Sequence, residues 1–237
     1  MLALAGDLPV EQMVLLYGVL LISLVFHEAS HALFAYLGGD RTAYSGGQVT
    51  LNPIPHIQRE PFGTVILPIA VLLMSKGTMI LGYAHIPVDP IWAARNPKRA
   101  ALMSAAGPLA NFALFGLALL GLHVLVWTHL ADNWPAGSGL LGPFVDPIGN
   151  SNTVFAAAKI LSAFLTLNLL LGVFNLFPWP PLDGAAVLEG LFPRSLQPLY
   201  SWVRMQPFAV LIGMVAVWRA MDYVFPPVAR YVLNNWL

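Results

Sequence analysis

The sequence has no cysteine and very little charge. With no cysteine among 237 residues, disulfides and thiolate metal ligands are excluded. Charged residues account for only 9% of the chain and hydrophobic residues for 58%, whereas a soluble domain carries about 25% charged residues. Because so little polar surface cannot cover a water-soluble globule, the expected surroundings are a lipid bilayer. Acidic and basic residues balance at 11 each, so the net charge gives no indication of a nucleic-acid partner.

The sequence contains several long apolar stretches. Four of them reach the roughly 20 residues that a bilayer-spanning helix needs: about 10–37, 100–128, 154–178 and 207–225. A fifth stretch, 63–82, is shorter and is interrupted by proline, glycine and lysine. No Lys or Arg precedes the first stretch, which is unlike a cleaved secretory signal, so this stretch is predicted to be a retained membrane helix.

The charges between these stretches predict the orientation of the chain. Lys and Arg occur in the connecting segments 38–62, 83–99 and 183–206, but 129–151 has none. Because basic loops favour the cytoplasmic side, the first three segments are predicted inside and 129–151 outside. Residues 63–82 then begin and end on the same side, which predicts a re-entrant segment. The first and third spanning helices run in the same direction, so their cytoplasmic ends are expected at similar depth.

The expected fold is therefore an all-α polytopic membrane protein of about four transmembrane helices with a re-entrant segment. Between the first helix and the rest, residues 41–57 hold short β-prone pieces separated by Gly and Pro, which predicts a small hairpin or loop. No internal repeat, low-complexity tract or linker divides the sequence. A single domain over 1–237 is the simplest organisation.

Two histidines and a glutamate lie inside the first apolar stretch, in LLISLVFHEASHALFAYLGG. His27 and His31 are four apart and share one helix face, so both can bind one ion, while Glu28 can reach a water on that ion. This H-E-x-x-H pattern is typical of zinc hydrolases, in which zinc lowers the pKa of a water to about 7 and the glutamate is the base. The pattern also arises by chance in soluble proteins. In a membrane, however, one charged group costs roughly 2.5–3.5 kcal/mol, and a metal would offset that cost.

A catalytic zinc usually has three protein ligands, so one more ligand is expected. The remaining histidines are interpreted as ordinary polar residues near the interfaces: His56, His85, His123 and His129. Asp183 is a better candidate, because it follows a long apolar stretch that a proline-rich segment ends. An Asp-Gly pair after prolines is also an ordinary turn, so the residues alone leave both interpretations open.

Taken together, three segments resemble the site-2 protease family of intramembrane zinc metalloproteases, peptidase family M50. Residues 27–31 match H-E-x-x-H, and 175–184 (NLFPWPPLDG) match N-x-x-P-x-P-x-L-D-G. Residues 106–112 (AGPLANF) are similar to the family's A-G-P-x-A-N-F segment. The resemblance covers about 15–190. For Asn111, in the third segment, a packing role beside small residues is equally open.

The resemblance implies a specific site. One Zn²⁺ per chain would be ligated by His27, His31 and Asp183. Glu28 would activate the water as the catalytic base. Asn175, also assigned to the catalytic set, would help to hold the substrate carbonyl or oxyanion.

The resemblance also implies a function and a location. The chain would hydrolyse peptide bonds in or near the transmembrane segments of membrane-anchored protein substrates, in regulated intramembrane proteolysis. It would lie in a prokaryotic inner membrane with the active site toward the cytoplasm, and an accessory or regulatory membrane protein is an open partner. An exposed strand edge within 41–57 would bind the unwound substrate by β-addition. The outer loop, 129–151, is too short for a PDZ domain, so the expectation is a minimal catalytic core followed by a membrane helix at about 207–225.

Two other functions compete with proteolysis. A catalytically silent membrane scaffold would keep the fold without the chemistry, although the complete set of candidate ligands with Glu28 argues against it. A metal-transit protein would spread its ligands along a path across the membrane. The candidates here are predicted at one depth instead, and Glu28 would have no role in transit.

Overall fold

The computed structural model describes residues 9–77, 79–133, 144–149 and 151–236. The helices of this part are α1 (Val10–Gly38), α2 (Thr42–Ser45), α3 (Pro53–Arg59), a π-helical turn (Phe62–Ile66), α4 (Leu67–Met74), α5 (Pro90–Arg95), α6 (Pro97–Trp127), α7 (Asn152–Asn175), α8 (Asp183–Leu191), α9 (Pro193–Arg204) and α10 (Pro207–Trp236). Strands β1 (Ala131–Asn133) and β2 (Val145–Pro147) pair antiparallel, with Asp132 opposite Asp146.

Four helices are long and apolar enough to cross a membrane: α1, α6, α7 and the Pro207–Val232 part of α10. The predicted all-α polytopic fold is confirmed, with small shifts in the helix ends. Helix α6 begins at Pro97, since proline suits the first turn of a helix, where its missing N–H leaves no bond unmade. Helix α7 ends at Asn175, before the proline-rich segment, because the residue preceding a proline disfavours helical backbone angles.

The long helices alternate in direction. Near the end of α1, Gly38 accepts a hydrogen bond from Arg99 at the start of α6, whereas farther back on α1 His27 contacts Asn111. Helix α7 in turn runs antiparallel to α6, and α10 antiparallel to α7, with Phe174 near the end of α7 packed edge-on against Trp218. The end of α1, the start of α6, the end of α7 and the start of α10 therefore lie on one side of the bundle.

The bent segment between α1 and α6 returns to the side from which it starts. Its two halves, α3 and the helix through Phe62–Met74, meet at 109°, and both connections lead to the same side of the bundle. This agrees with the predicted re-entrant segment. After α4 the described chain has no regular secondary structure from 79 to 89. It packs closely on the π-helical turn, where the N–H of Tyr83 donates to Gly63 O at 3.0 Å. A Cβ on Gly63 would lie only 2.3 Å from Tyr83 O.

Of the hairpin or loop predicted within 41–57, the hairpin is wrong and a loop is present between two short helices. This segment forms α2 and α3, joined by a loop. The physical reason lies in the start of α3, where the Asn52 side chain accepts a hydrogen bond from Ile54 N–H at 3.0 Å and Pro53 occupies the first helical turn. Asparagine before proline is a helix-start signal, which outweighs the β-prone residues before it. In the part of the chain that the structure describes, the strand pair is β1 and β2 instead, in the loop between α6 and α7.

Asp40 ties the end of α1 to the start of α5. Its side chain is buried, and its carboxylate accepts hydrogen bonds from the N–H groups of Thr42 and Asp89, each at 2.8 Å. Burial raises the pKa of Asp40, but hydrogen bonds from the Thr42 hydroxyl and from the two N–H groups lower it by more, so the pKa lies below its usual value. The ionised carboxylate is thus part of the native packing between the two helices.

Substituting Asp40→Asn should destabilise the fold, because the amide NH₂ would face one of these N–H donors. Hydrogen bonds to charged groups contribute about 1.5–3 kcal/mol. We expect the free energy of unfolding to fall by that order at neutral pH, measured by thermal unfolding of the detergent-purified protein. Since the folded pKa is depressed, the stabilisation is complete above the unfolded pKa of about 3.9 and is lost as the pH falls through the folded value. The difference in free energy of unfolding between wild type and variant should therefore become smaller in acid.

The exposed residue Glu11, substituted to Gln, provides a matched control for loss of one carboxylate. We expect it to change stability by only the few tenths of a kcal/mol that a surface charge contributes near a helix N-terminus. This account of Asp40 would be contradicted if Asp40→Asn had the same free energy of unfolding as wild type at neutral pH, or if their difference became larger in acid.

Candidate metal centre

His27 and His31 lie one above the other on the face of α1 that meets α6. Each is only 5% exposed, and their Nε2 atoms are 3.0 Å apart. The spacing of four residues places the two rings on one face, and their centroids lie 4.6 Å apart with the planes nearly perpendicular. Both imidazoles therefore present the same ring nitrogen to the same point between the helices.

Helix α6 approaches this point with a glycine. A Cβ built on Gly107 would lie 2.3 Å from Nε2 of His31 and 2.6 Å from Nε2 of His27. Small residues let helix backbones approach closely, and here the space that a side chain would occupy is the space in front of the two nitrogens. The backbone of Gly107 thus forms one wall of the site.

Asp183 reaches the same point from the other end of the chain. Its Oδ2 is 3.1 Å from Nε2 of His27, and its Oδ1 is 3.3 Å from Nε2 of His31. Helix α7 ends before this residue and α8 begins at it, so Asp183 stands in a first turn, where the helix dipole favours a negative charge. The turn between α7 and α8 is tight, since a Cβ on Gly184 would lie 2.2 Å from Leu176 O.

The other ring nitrogen of each histidine has an oxygen partner. Nδ1 of His27 lies 2.6 Å from Oδ1 of Asn111, and Nδ1 of His31 lies 2.7 Å from the backbone oxygen of Met103. Carbonyl oxygens only accept hydrogen bonds, so both Nδ1 atoms carry protons. In the neutral rings, the lone pairs of the two Nε2 atoms then face each other and the carboxylate of Asp183. A cation between these three groups would relieve their repulsion.

Two carboxylate oxygens at the site are buried without hydrogen bonds: Oε2 of Glu28 and Oδ2 of Asp183. Glu28 is 4% exposed, and one of its oxygens lies within 4.8 Å of ligand nitrogens of His27 and His31, so this trio could hold a metal ion. Two imidazoles and a carboxylate are a donor set that zinc prefers, and unpaired buried anions are costly without a cation. The residues present therefore fit zinc.

A line of buried polar side chains leads away from the site and was not predicted. Asn111, Asn168 and Ser23 are all 0% exposed. Asn111 was singled out only as a member of a motif, with packing as an open role, while the other two were not considered. Isolated polar residues in apolar helices are rare in membranes and usually have partners, so an asparagine inside α7 was a signal available from the sequence.

The other candidate residues lie outside this cluster. The amide of Asn175 donates to Leu171 O in its own helix at 3.0 Å, and no contact joins it to the ligand candidates within the described residues. His56 Nε2 lies 3.0 Å from Thr50 O, and His123 Nδ1 lies 2.9 Å from Leu119 O. His85 lies 3.1 Å from a Glu60 oxygen. These three histidines thus have partners elsewhere, as expected for ordinary polar residues.

A polytopic helical fold with an H-E-x-x-H motif that could hold a metal ion, inside a candidate spanning helix, is typical of a membrane metalloprotease. The chain belongs to peptidase family M50, whose family model matches residues 15–218. No solved structure gives a significant match to it.

Curated relatives carry names of the same kind. The chain is 32% identical over 226 residues to "Putative zinc metalloprotease YwhC" of Bacillus subtilis, a match that covers 95% of this chain and 86% of the relative. It is 32% identical over 186 residues to "Putative zinc metalloprotease Rip2" of Mycolicibacterium smegmatis, which covers 77% of this chain and 60% of the relative. The match thus includes most of the first relative's length and a smaller share of the second's.

Substituting Gly107→Ala should weaken zinc binding at this site. The new methyl group would occupy the space in front of the two Nε2 atoms and push the rings aside, and we expect zinc affinity to fall at least tenfold, about the scale seen when ligand orientation is disturbed. Metal content by mass spectrometry and competition with a chromophoric chelator would measure this. Gly116→Ala is a matched control on the same helix, since a Cβ there meets nothing within 4 Å. Equal zinc affinity in the two variants would contradict the assigned position of the ion.

Proposed function

We propose that the chain is an intramembrane zinc metalloendopeptidase of the site-2 protease type, which hydrolyses peptide bonds in or near the transmembrane segments of membrane-anchored proteins. The observation that carries the proposal is the meeting of Asp183, at the start of α8, with His27 and His31, beside Glu28, on a helix long and apolar enough to span the membrane. The zinc metalloprotease names of the relatives support the identity of the metal.

His27, His31 and Asp183 are the proposed ligands of one zinc ion per chain. Zinc held there would act as a Lewis acid that polarises the scissile carbonyl and lowers the pKa of a water to about 7. The ligands are held before binding, since each Nδ1 is hydrogen-bonded and Asp183 begins a packed helix. Little reorganisation is then needed when the ion enters.

Glu28 is the proposed general base and acid. Its Oε2 is buried and free of hydrogen bonds, so it can take the proton of the attacking water as the new C–O bond forms. The same proton then passes to the leaving amine as the C–N bond breaks. Asn175 is proposed to donate to the oxyanion with the amide hydrogen that is not bonded to Leu171 O.

The substrate must unwind locally, because a helix in lipid hides its peptide groups in its own hydrogen bonds. The segment 79–89, which has no regular secondary structure, is the proposed partner of the unwound chain, in place of 41–57. Between 80 and 88, Tyr83 is the one residue whose backbone N–H has a backbone acceptor in the described part of the chain. Pro87 has no N–H and His85 O accepts from Arg59, so the N–H groups of the other residues in this stretch are the ones proposed to bind an extended peptide by β-addition.

Substituting Glu28→Gln separates metal binding from chemistry. We expect the variant to keep about one zinc per chain, because Glu28 is not a proposed ligand, and to cleave a reconstituted membrane-anchored substrate about 10²–10⁴ times more slowly, the range for loss of a general base. Metal mass spectrometry and gel-based cleavage of the substrate in proteoliposomes would measure both.

Asp183→Ala is the companion variant and should lose the zinc together with activity. A folded wild type that takes up no zinc on reconstitution would refute the hydrolase and bring the scaffold function forward. Undiminished cleavage by Glu28→Gln would refute the assigned base alone.

We further propose that the protein lies in a bacterial cytoplasmic membrane with the metal centre toward the cytoplasm. Three exposed serines report on this in a chain that has no native cysteine: Ser45, Ser195 and Ser151. In intact cells, a membrane-impermeant maleimide should label Ser151→Cys, while Ser45→Cys and Ser195→Cys should react only after lysis. Labelling in the opposite pattern would place the site at the outer face.

A further inference from the structure

The buried polar side chains beside the metal centre form one continuous chain of hydrogen bonds. Ser23 on α1 lies 2.9 Å from Asn168 on α7, Asn168 lies 2.9 Å from Asn111 on α6, and Asn111 lies 2.6 Å from His27. The chain begins and ends on α1, because Ser23 and His27 are one helical turn apart. It therefore crosses from α1 to α7 to α6 and back.

The direction of each hydrogen bond follows from the groups at the start of this chain. The hydroxyl of Ser23 donates its single proton to Val19 O at 2.7 Å, so its oxygen can only accept from Asn168. Phe164 O, 2.9 Å from the same amide nitrogen, also only accepts. The NH₂ of Asn168 must face both acceptors. Its Oδ1 is then left to accept a hydrogen bond from Asn111.

The orientation of Asn111 follows in the same way. Its NH₂ donates to Oδ1 of Asn168, so its Oδ1 faces Nδ1 of His27 and requires a proton there. Nε2 of His27 is then the nitrogen with a free lone pair, directed toward Asp183. Reversing either amide would place two donors or two acceptors face to face. Ser23, Asn168 and Asn111 are all 0% exposed, so the unpaired polar groups would be buried, which is costly.

His31 needs no such arrangement, which explains why the polar chain leads to one histidine only. Its Nδ1 donates to the backbone oxygen of Met103, a group that cannot act as a donor in any orientation. A side-chain amide, in contrast, can turn over and offer either NH₂ or oxygen. Asn111 can select a tautomer of His27 only if its own orientation is held by a neighbour.

We propose that Ser23 and Asn168 are positioning residues of the metal centre, which act through Asn111 to hold His27 as the tautomer whose Nε2 binds the ion. This inference rests on the proposed zinc site, and it adds residues that touch none of its ligands. We define Ser23, Asn168 and Asn111 as the amide relay. Partners of this kind orient metal ligands, and their loss typically weakens metal affinity 10–100-fold.

A purely structural role makes a different prediction. Polar side chains also join membrane helices as simple hydrogen-bonded contacts, and losing such a contact would lower the unfolding temperature without changing the affinity of the folded protein for zinc. Zinc affinity and the visible spectrum of the Co²⁺-substituted protein therefore discriminate between the two roles. The spectrum reports the geometry of the ligands and does not depend on substrate cleavage.

The decisive experiment measures the zinc dissociation constant of the full detergent-purified chain by chelator competition. Asn168→Leu keeps the volume but removes the amide, and we expect about 10–100-fold weaker binding with an altered Co²⁺ spectrum. Ser162→Ala is the matched control: Ser162 is also buried on α7, and its hydroxyl accepts from Phe144 N–H at 2.9 Å. It should lower stability only, and its zinc affinity should equal that of wild type.

A double-mutant cycle tests that the residues act in series. Ser23→Ala should weaken zinc binding less than Asn168→Leu, because Asn168 still donates to Phe164 O. In the Asn168→Leu background, Ser23→Ala should add nothing, since the relay is already broken. If Asn168→Leu does not fold, Ser23→Ala is compared with Ser162→Ala instead. Weaker zinc affinity and an altered Co²⁺ spectrum in Ser23→Ala alone would support the relay, and equal values in the two variants would overturn it.

The outcomes distinguish this proposal from the proposed function. Wild type that binds zinc and cleaves substrate, with unchanged affinity and spectrum in Asn168→Leu and Ser23→Ala, would overturn the relay and leave the protease intact. Additive losses in the double variant would also overturn it. Absence of zinc binding by folded wild type would instead refute the metal centre itself.

Discussion

The structure depends on one costly arrangement, the meeting of two imidazole nitrogens and a carboxylate within 3.0–3.3 Å inside a membrane bundle. Lipid offers these groups no hydrogen bonds, so the surrounding helices must supply their hydrogen-bond partners. Two residues allow the approach of the surrounding backbone: Gly107 leaves space in front of the nitrogens, and Gly184 lets the turn after α7 close tightly enough to direct Asp183 inward. A larger side chain at either position would separate the two imidazoles and the carboxylate.

Helix α7 contributes to the site in two ways. Its end leads into the turn that delivers Asp183, while Asn168, farther back on the same helix, joins Ser23 to Asn111. Farther into the bundle, Asn168 joins α7 to Ser23 on α1 and to Asn111 on α6. Since the deeper contacts are directional hydrogen bonds between fully buried groups, they restrict both the rotation of the helices and the orientation of His27. The same bonds can thus contribute to the fold and to the affinity of the site for metal.

Much of this arrangement was predictable because its causes are local. Apolar length predicted the four spanning helices, and the spacing of His27 and His31 predicted their shared face. The error at 41–57 arose where local signals conflicted, since β-prone residues preceded the Asn52 and Pro53 helix start. The segment 79–89, which has no regular secondary structure, packs against the π-helical turn. Its conformation depends on Gly63, a neighbour too distant along the chain for periodicity to reveal.

The sequence by itself determined the membrane class, the helix lengths and the chemical types of the candidate ligands, because hydrophobic length and motif spacing are properties of short stretches. The tertiary structure decided the rest. It placed Asp183 against histidines 152 and 156 positions earlier in the chain, gave Gly107 its place before the ring nitrogens, and joined Ser23 to Asn111 through Asn168. These relations depend on how antiparallel helices are registered against one another. That register is set by packing across the whole bundle, which no single segment encodes.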